Sequence, residues 1–267
     1  MDTQDDTGSG SPADAGGVIV RDDQSDFPSL LDAVKASRGA GGRFKLIDTG
    51  KLSSSELEWL GEAGAVFYTS DRARPDGRDL VLMNAAARKG SAVTAYFHHG
   101  PFEPEEKEKA VSFATLKELG RNGLYIYTSN GRIQRDFPAL EELAYACICG
   151  GSRLAFYHHG PFAPALETLA RQGAWIHIAG QSLHRDDDTI LLCDCARAAR
   201  ERAGGVLFHI EYPLALAWLE QIFDAGARVI FHTPPSDYRS PQRPFERRAE
   251  RLFIDSRAFY LYPRFML

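Results

Sequence analysis

One phrase, L-x-x-L-x-x-x-G, runs four times along the chain and constrains the fold more than anything else in it. The copies are Leu57-x-x-Leu60-x-x-x-Gly64, Leu116-x-x-Leu119-x-x-x-Gly123, Leu166-x-x-Leu169-x-x-x-Gly173 and Leu219-x-x-Ile222-x-x-x-Gly226. Apolar residues three apart share one helix face. A glycine just beyond supplies the left-handed residue on which helices commonly stop. Each glycine is followed at once by an apolar, β-branched or aromatic run: AVFYTS (65–70), LYIYTS (124–129), AWIHIA (174–179) and ARVIFHT (227–233). These runs predict buried strands.

Between the copies lies a second helix and strand. Helix starts are marked by aspartate before an apolar residue in DFPSLL (26–31), DLVLMN (79–84) and DFPALE (136–141), and by Asp188 before TILL. A carboxylate there accepts from first-turn amides. These helices run to Gly39, Gly90, Gly150 and Gly204, and lead into RFKLID (43–48), AVTAYFHH (92–99), RLAFYHH (153–159) and GVLFHI (205–210). GVIVRDDQSDFPSLL (17–31) reads as an opening strand and helix, and SRAFYLYP (256–263) as an altered last strand.

The chain is therefore a string of βα units with about ten strands. Residues 1–16 are polar and acidic and read as a disordered tail, leaving 17–267 as a single repeat domain. Alternating strands and helices imply a parallel sheet covered by helices. Two architectures satisfy the pattern. One is an open α/β solenoid of about ten strands, and the other a TIM-like βα barrel closed by eight of them.

Charge and composition narrow the function. A net charge of −5 argues against nucleic acid as a partner. No apolar run is long enough to cross a membrane, and the start of the chain lacks a secretory signal's basic and apolar regions, so a cytoplasmic protein is expected. Cys147, Cys149, Cys193 and Cys195 form two C-x-C pairs on helical stretches, where residues two apart diverge, so they read as small core residues of a reducing compartment. No Walker loop, G-x-S-x-G elbow, G-x-G-x-x-G fingerprint, H-E-x-x-H or EF-hand spacing is present.

The candidate site rests on histidine. YFHHGPF (96–102) and FYHHGPF (156–162) repeat one phrase, and seven of the eight histidines fall at or near strand carboxyl ends. In parallel α/β folds that edge binds ligands. Alignment of the copies groups Asp48, His98, His158 and His209 at one equivalent position, and Tyr68, Tyr127, His177 and His232 at another. Phe67, Ile126, Ile176 and Phe231 fill the opposite face.

Two functions follow, and the sequence leaves open whether the protein is an enzyme. In an open sheet, Tyr68, His98, Tyr127, His158, His177, His209 and His232 form a ladder that binds a protein or small-molecule ligand without catalysis. In a closed barrel, Asp48, His98, His158, His177, His209 and His232 form a ring fit for a divalent transition metal such as zinc, and the protein is a metal-dependent hydrolase.

Overall fold

The computed structural model describes residues 17–103, 111–179, 182, 183, 185–210 and 214–231. The tail at 1–16, His184, His232 and the expected strand at 256–263 lie outside them. Nine strands alternate with eight helices among the described residues. The order is β1 (Gly17–Arg21), α1 (Phe27–Gly39), β2 (Arg43–Ile47), α2 (Ser54–Ala63), β3 (Val66–Ser70), α3 (Gly77–Lys89), β4 (Thr94–Phe97), α4 (Phe113–Arg121), β5 (Tyr125–Ser129), α5 (Phe137–Cys149), β6 (Leu154–His158), α6 (Ala165–Arg171), β7 (Trp175–Ala179), α7 (Asp186–Ala199), β8 (Gly205–Ile210), α8 (Leu216–Asp224) and β9 (Arg228–Phe231). Every strand pairs in parallel with its sequence neighbours, in the order β1 to β9. The sheet is not closed: among the described residues β1 and β9 are its two edges.

The repeated phrase does what its spacing predicts. Leu57, Leu60, Leu116, Leu119, Leu166, Leu169, Leu219 and Ile222 are all buried. Each contributes about 2 kcal/mol of apolar burial. Gly64, Gly123, Gly173 and Gly226 have φ of +110°, +87°, +86° and +98°, the left-handed stop that glycine adopts without strain.

Three glycines of the second set, Gly90, Gly150 and Gly204, serve close approach instead. A Cβ on Gly90 would collide with the carbonyl oxygen of Gly61, and one on Gly150 with that of Gly120. Gly61 in turn has the backbone of Ala87 2.9 Å from its absent Cβ, so α2 and α3 meet backbone to backbone.

Two helix starts differ from expectation. Asp26 and Asp136 cap as predicted, accepting from the amides of Ser29 at 2.9 Å and Ala139 at 3.1 Å. The cap of α3 is Asp76, which accepts from Arg78 N at 2.9 Å. Asp79 sits inside the first turn and accepts from the Ser54 hydroxyl at 2.7 Å. Helix α7 begins at Asp186, and Asp188 reaches back to the Arg185 amide at 2.9 Å. In both cases a glycine or a polar run ahead of the expected aspartate adds a turn.

Residues paired across parallel strands share a face. One row holds Leu46, Phe67, Tyr96, Ile126, Phe156, Ile176 and Phe208. Helices cover it, as Phe137 of α5 shows by packing edge-on to Phe156 with ring centroids 6.2 Å apart. The other, inner row holds Tyr68, Phe97, Tyr127, Tyr157, His177 and Leu207. Tyrosine and histidine dominate it, where the helix-facing row is aliphatic and phenyl apart from Tyr96.

Candidate functional site

The register separates the predicted site residues into two groups on opposite sides of the sheet. Continuing the alternation of β2, β4 and β6 puts Asp48, His98 and His158 on the helix-facing side. Tyr68, Tyr127 and His177 lie on the inner side. His209 pairs with Ala179, so it belongs with His177 and not with His98 and His158 as the alignment of FHI to FHH suggested. His232 lies outside the described residues.

The helix-facing residues are occupied with holding loops. His98 Nε2 lies 3.2 Å from the Pro101 carbonyl, and His158 Nε2 lies 2.9 Å from that of Pro161. A carbonyl only accepts, so each ring carries its proton on Nε2 and closes its own H-G-P turn. Burial holds both rings uncharged, lowering His98 to about 4 and His158 below the usual histidine value. Asp48 receives Arg74 through Nε at 2.9 Å and Nη2 at 2.8 Å, and Thr69 Oγ1 at 2.6 Å. Arg74 also donates to the Leu52 carbonyl at 2.7 Å. Among the described members of the expected ring, Asp48, His98 and His158 therefore lie on the other side of the sheet from His177 and His209. Among the described residues no three His, Cys, Asp or Glu side chains converge as a metal site.

The inner residues do form a ladder. Ring centroids stand 4.8 Å apart for Phe97 and Tyr127, 6.5 Å for Tyr127 and Tyr157, 4.1 Å for Tyr157 and His177, and 5.3 Å for His177 and His209. His177 Nδ1 and His209 Nε2 are 3.0 Å apart, which requires one proton between them. Burial, and then the neighbouring His209, push His177 well below its ordinary pKa. Tyr127, His177 and His209 are only 5%, 3% and 8% exposed, so this ladder is core.

Above it, at the carboxyl ends of β3 to β6, the rows emerge into a polar rim. Asp71 follows β3 directly. Its Oδ1 lies 2.7 Å from His99 Nδ1, and its Oδ2 accepts from the amides of His99 and Gly100, both at 2.7 Å. Burial alone would raise this carboxyl; the His99 and Gly100 hydrogen bonds outweigh it and hold Asp71 below the usual carboxylate value. The contact puts the His99 proton on Nδ1 and the ring's lone pair on Nε2, the opposite tautomer to His98 beside it.

Arg135, from the loop after β5, fixes this corner. It donates to the carbonyls of Gly100 at 2.7 Å, His98 and His99 at 3.2 Å, and Ser129 at 3.1 Å, and its guanidinium lies over the Phe102 ring at 4.7 Å. Burial lowers Arg135 to about 10, so it keeps its charge at neutral pH.

Asp71, His99 and Arg135 escaped the sequence reading. One signal was present: T-S-D (69–71) and T-S-N (128–130) end two equivalent strands with a short side-chain acceptor. Such a residue bonds main-chain donors of the neighbouring loop.

No family model matches this chain, and no curated protein does. Solved structures do. The chain is similar to the PaMucR phosphodiesterase in complex with c-di-GMP, at 12% identity over 75% of this chain and 70% of that one, with a TM-score of 0.32. It is similar to a citrate synthase variant, SbnG, at 9% identity over 88% and 100%, TM-score 0.33. It is also similar to the 3-dehydroquinate dehydratase of Aquifex aeolicus VF5, at 15% identity over 91% and 98%, TM-score 0.31. The fold stated here rests on the strand register and not on these likenesses. Among the described residues no helix is long and apolar enough to cross a membrane.

Proposed function

We propose that the protein binds a small polar ligand at the carboxyl rim of β3–β6, with the Asp71–His99 pair as its acid–base anchor. The observation that carries this is the 2.7 Å contact between the Asp71 carboxylate and His99 Nδ1. A carboxylate that fixes an imidazole's tautomer directs the ring's basic nitrogen away from the carboxylate. Turn geometry alone does not need this contact, because Asn130 holds the second H-H-G-P loop without it.

This reading narrows the ligand-binding ladder to its rim, since the ladder's shaft is buried and the rim is not. Both Asp71 and His99 have side chains 15% exposed, enough to meet a small molecule at a strand edge. The hydrolase reading has less support: Asp48, His98 and His158, half of its ligand set, are engaged by Arg74 and the two proline carbonyls.

The test is a ligand-observed NMR screen of small acids, amides, alcohols and amines against the wild-type protein and Asp71→Asn. Hits that shift the His99 and Ser129 resonances, and that weaken about tenfold or more in Asp71→Asn, support the site. Hits indifferent to Asp71→Asn would place the ligand elsewhere.

A further inference from the structure

A cavity opens at the opposite, amino-terminal edge of the sheet. Its volume is about 460 Å³, within the usual range for small-molecule sites. Trp175, Gly205 and Arg228, the first residues of β7, β8 and β9, line it, together with Leu207, Arg200 and Asp224. By register Trp175, Gly205, Leu207 and Arg228 all belong to the inner face. The Cδ1–Nε1 edge of Trp175 borders a residue with no side chain: a Cβ on Gly205 would stand 3.7 Å from Cδ1 and 3.9 Å from Nε1. Trp175 is 8% exposed, so only a small part of the indole meets the cavity.

The arginines give the cavity its sign. Arg200, just after α7, is the counterpart of Arg38 and Arg88 in the last turns of α1 and α3, which lie beside Gly64 and Gly123 as Arg200 lies beside Gly226. Arg38 donates to the Ala63 carbonyl at 3.1 Å and Arg88 to the Asn122 carbonyl at 2.7 Å, each closing a helix end. Arg200 packs on Gly226 with its Cδ 3.0 Å from the absent Cβ, yet makes no such bond among the described residues. The Arg228 side chain makes no hydrogen bond or ion pair among the described residues either. Among the described residues the lining carries two arginines and one acid, Asp224.

We infer that this cavity binds an aromatic anion, its phosphate or carboxylate between Arg200 and Arg228 and the edge of its ring against the small exposed part of the Trp175 indole. Paired guanidinium groups suit a phosphate or carboxylate by geometry as well as charge. The exposed part of the indole, beside a residue with no side chain, suits the edge of an aromatic ring. The site is separate from the Asp71–His99 rim, which sits at the other end of the strands.

Phenyl phosphate is the probe, titrated while the Trp175 indole N–H resonance is followed by NMR. Saturable movement of that resonance is expected, with affinity falling about tenfold or more in Arg200→Gln and again in Arg228→Gln. Phenol and inorganic phosphate, the two halves of the probe, should each bind far more weakly. Both arginines are exposed, so the variants should keep the wild-type melting temperature. No saturable shift, equal binding by phenol, or indifference to both arginine variants would overturn the proposal.

Discussion

The two H-H-G-P-F loops share a sequence and half of a structure. In each, the first histidine turns toward the helices and donates Nε2–H to the proline carbonyl three residues on, at 3.2 Å for His98 and 2.9 Å for His158. In each, the second histidine's amide is held by the short side chain after the preceding strand, Asp71 or Asn130, at 2.7 Å. There the copies part. Asp71 also takes the His99 ring, whereas Asn130 spends its amide on the His159 carbonyl at 3.0 Å and leaves that ring exposed. The His159 imidazole lies against Gly131, 3.1 Å from where a Cβ would be. At the matching place in the first copy stands Arg72. A repeat thus conserves what the turn needs and varies what faces outward. The outward variation is where a function can be written.

The largest effect should come from Arg135→Met. It removes the donor to four carbonyls in the first corner, and urea unfolding should show a loss of about 4 kcal/mol. Amide exchange should quicken over residues 98–102 and stay unchanged over 158–162. Equal quickening of both loops would mean that the copies are coupled, against the comparison drawn above.

Next comes the pH dependence from His98. Burial lowers its folded pKa to about 4, while an unfolded histidine titrates near 6.5. The unfolded state therefore binds the extra proton first. Stability should fall as the pH drops through that window, by roughly 3 kcal/mol from this group at most. His98→Gln should flatten the slope, and an unchanged slope would place the acid sensitivity elsewhere.

A smaller effect, about 1–2 kcal/mol, is expected for Asp71→Asn, which rewrites the first copy as the second. The asparagine keeps a main-chain contact and loses the charged one. Because the folded Asp71 pKa is depressed, its stabilisation is present above the ordinary carboxylate value and fades as pH falls below about 4. The gap between wild type and variant should close over that range. Smallest is His159→Ala, within about 0.5 kcal/mol, since the ring is exposed and its held group is the main chain.

Much of the fold was legible because it rests on periodicity. The L-x-x-L-x-x-x-G phrase places both a buried helix face and a positive-φ stop, and the structure has both at all four copies. The rows of Phe67, Ile126 and Ile176 against Tyr68, Tyr127 and His177 also follow from alternation. Asp79 and Asp188 were misplaced by a turn, since any early carboxylate in a helix resembles a cap. The site was less legible. His98 drew attention over His99 because alignment reports equivalence and not what lies behind the strand. His209 changed sides because F-H-I and F-H-H differ by one step of register, and one step reverses a strand's face. Arg135 was invisible because three of its four partners are carbonyls 35 to 37 residues away, and carbonyls carry no sequence signature.

The most direct test of the first corner's distinct chemistry is the tautomer of each loop histidine, read from long-range proton–nitrogen NMR at neutral pH. His98 and His158 should carry the proton on Nε2, and His99 on Nδ1, moving toward the other form in Asp71→Asn. A His99 with its proton on Nε2, unmoved by that substitution, would contradict the Asp71–His99 anchor and leave the repeated phrase with a structural role alone.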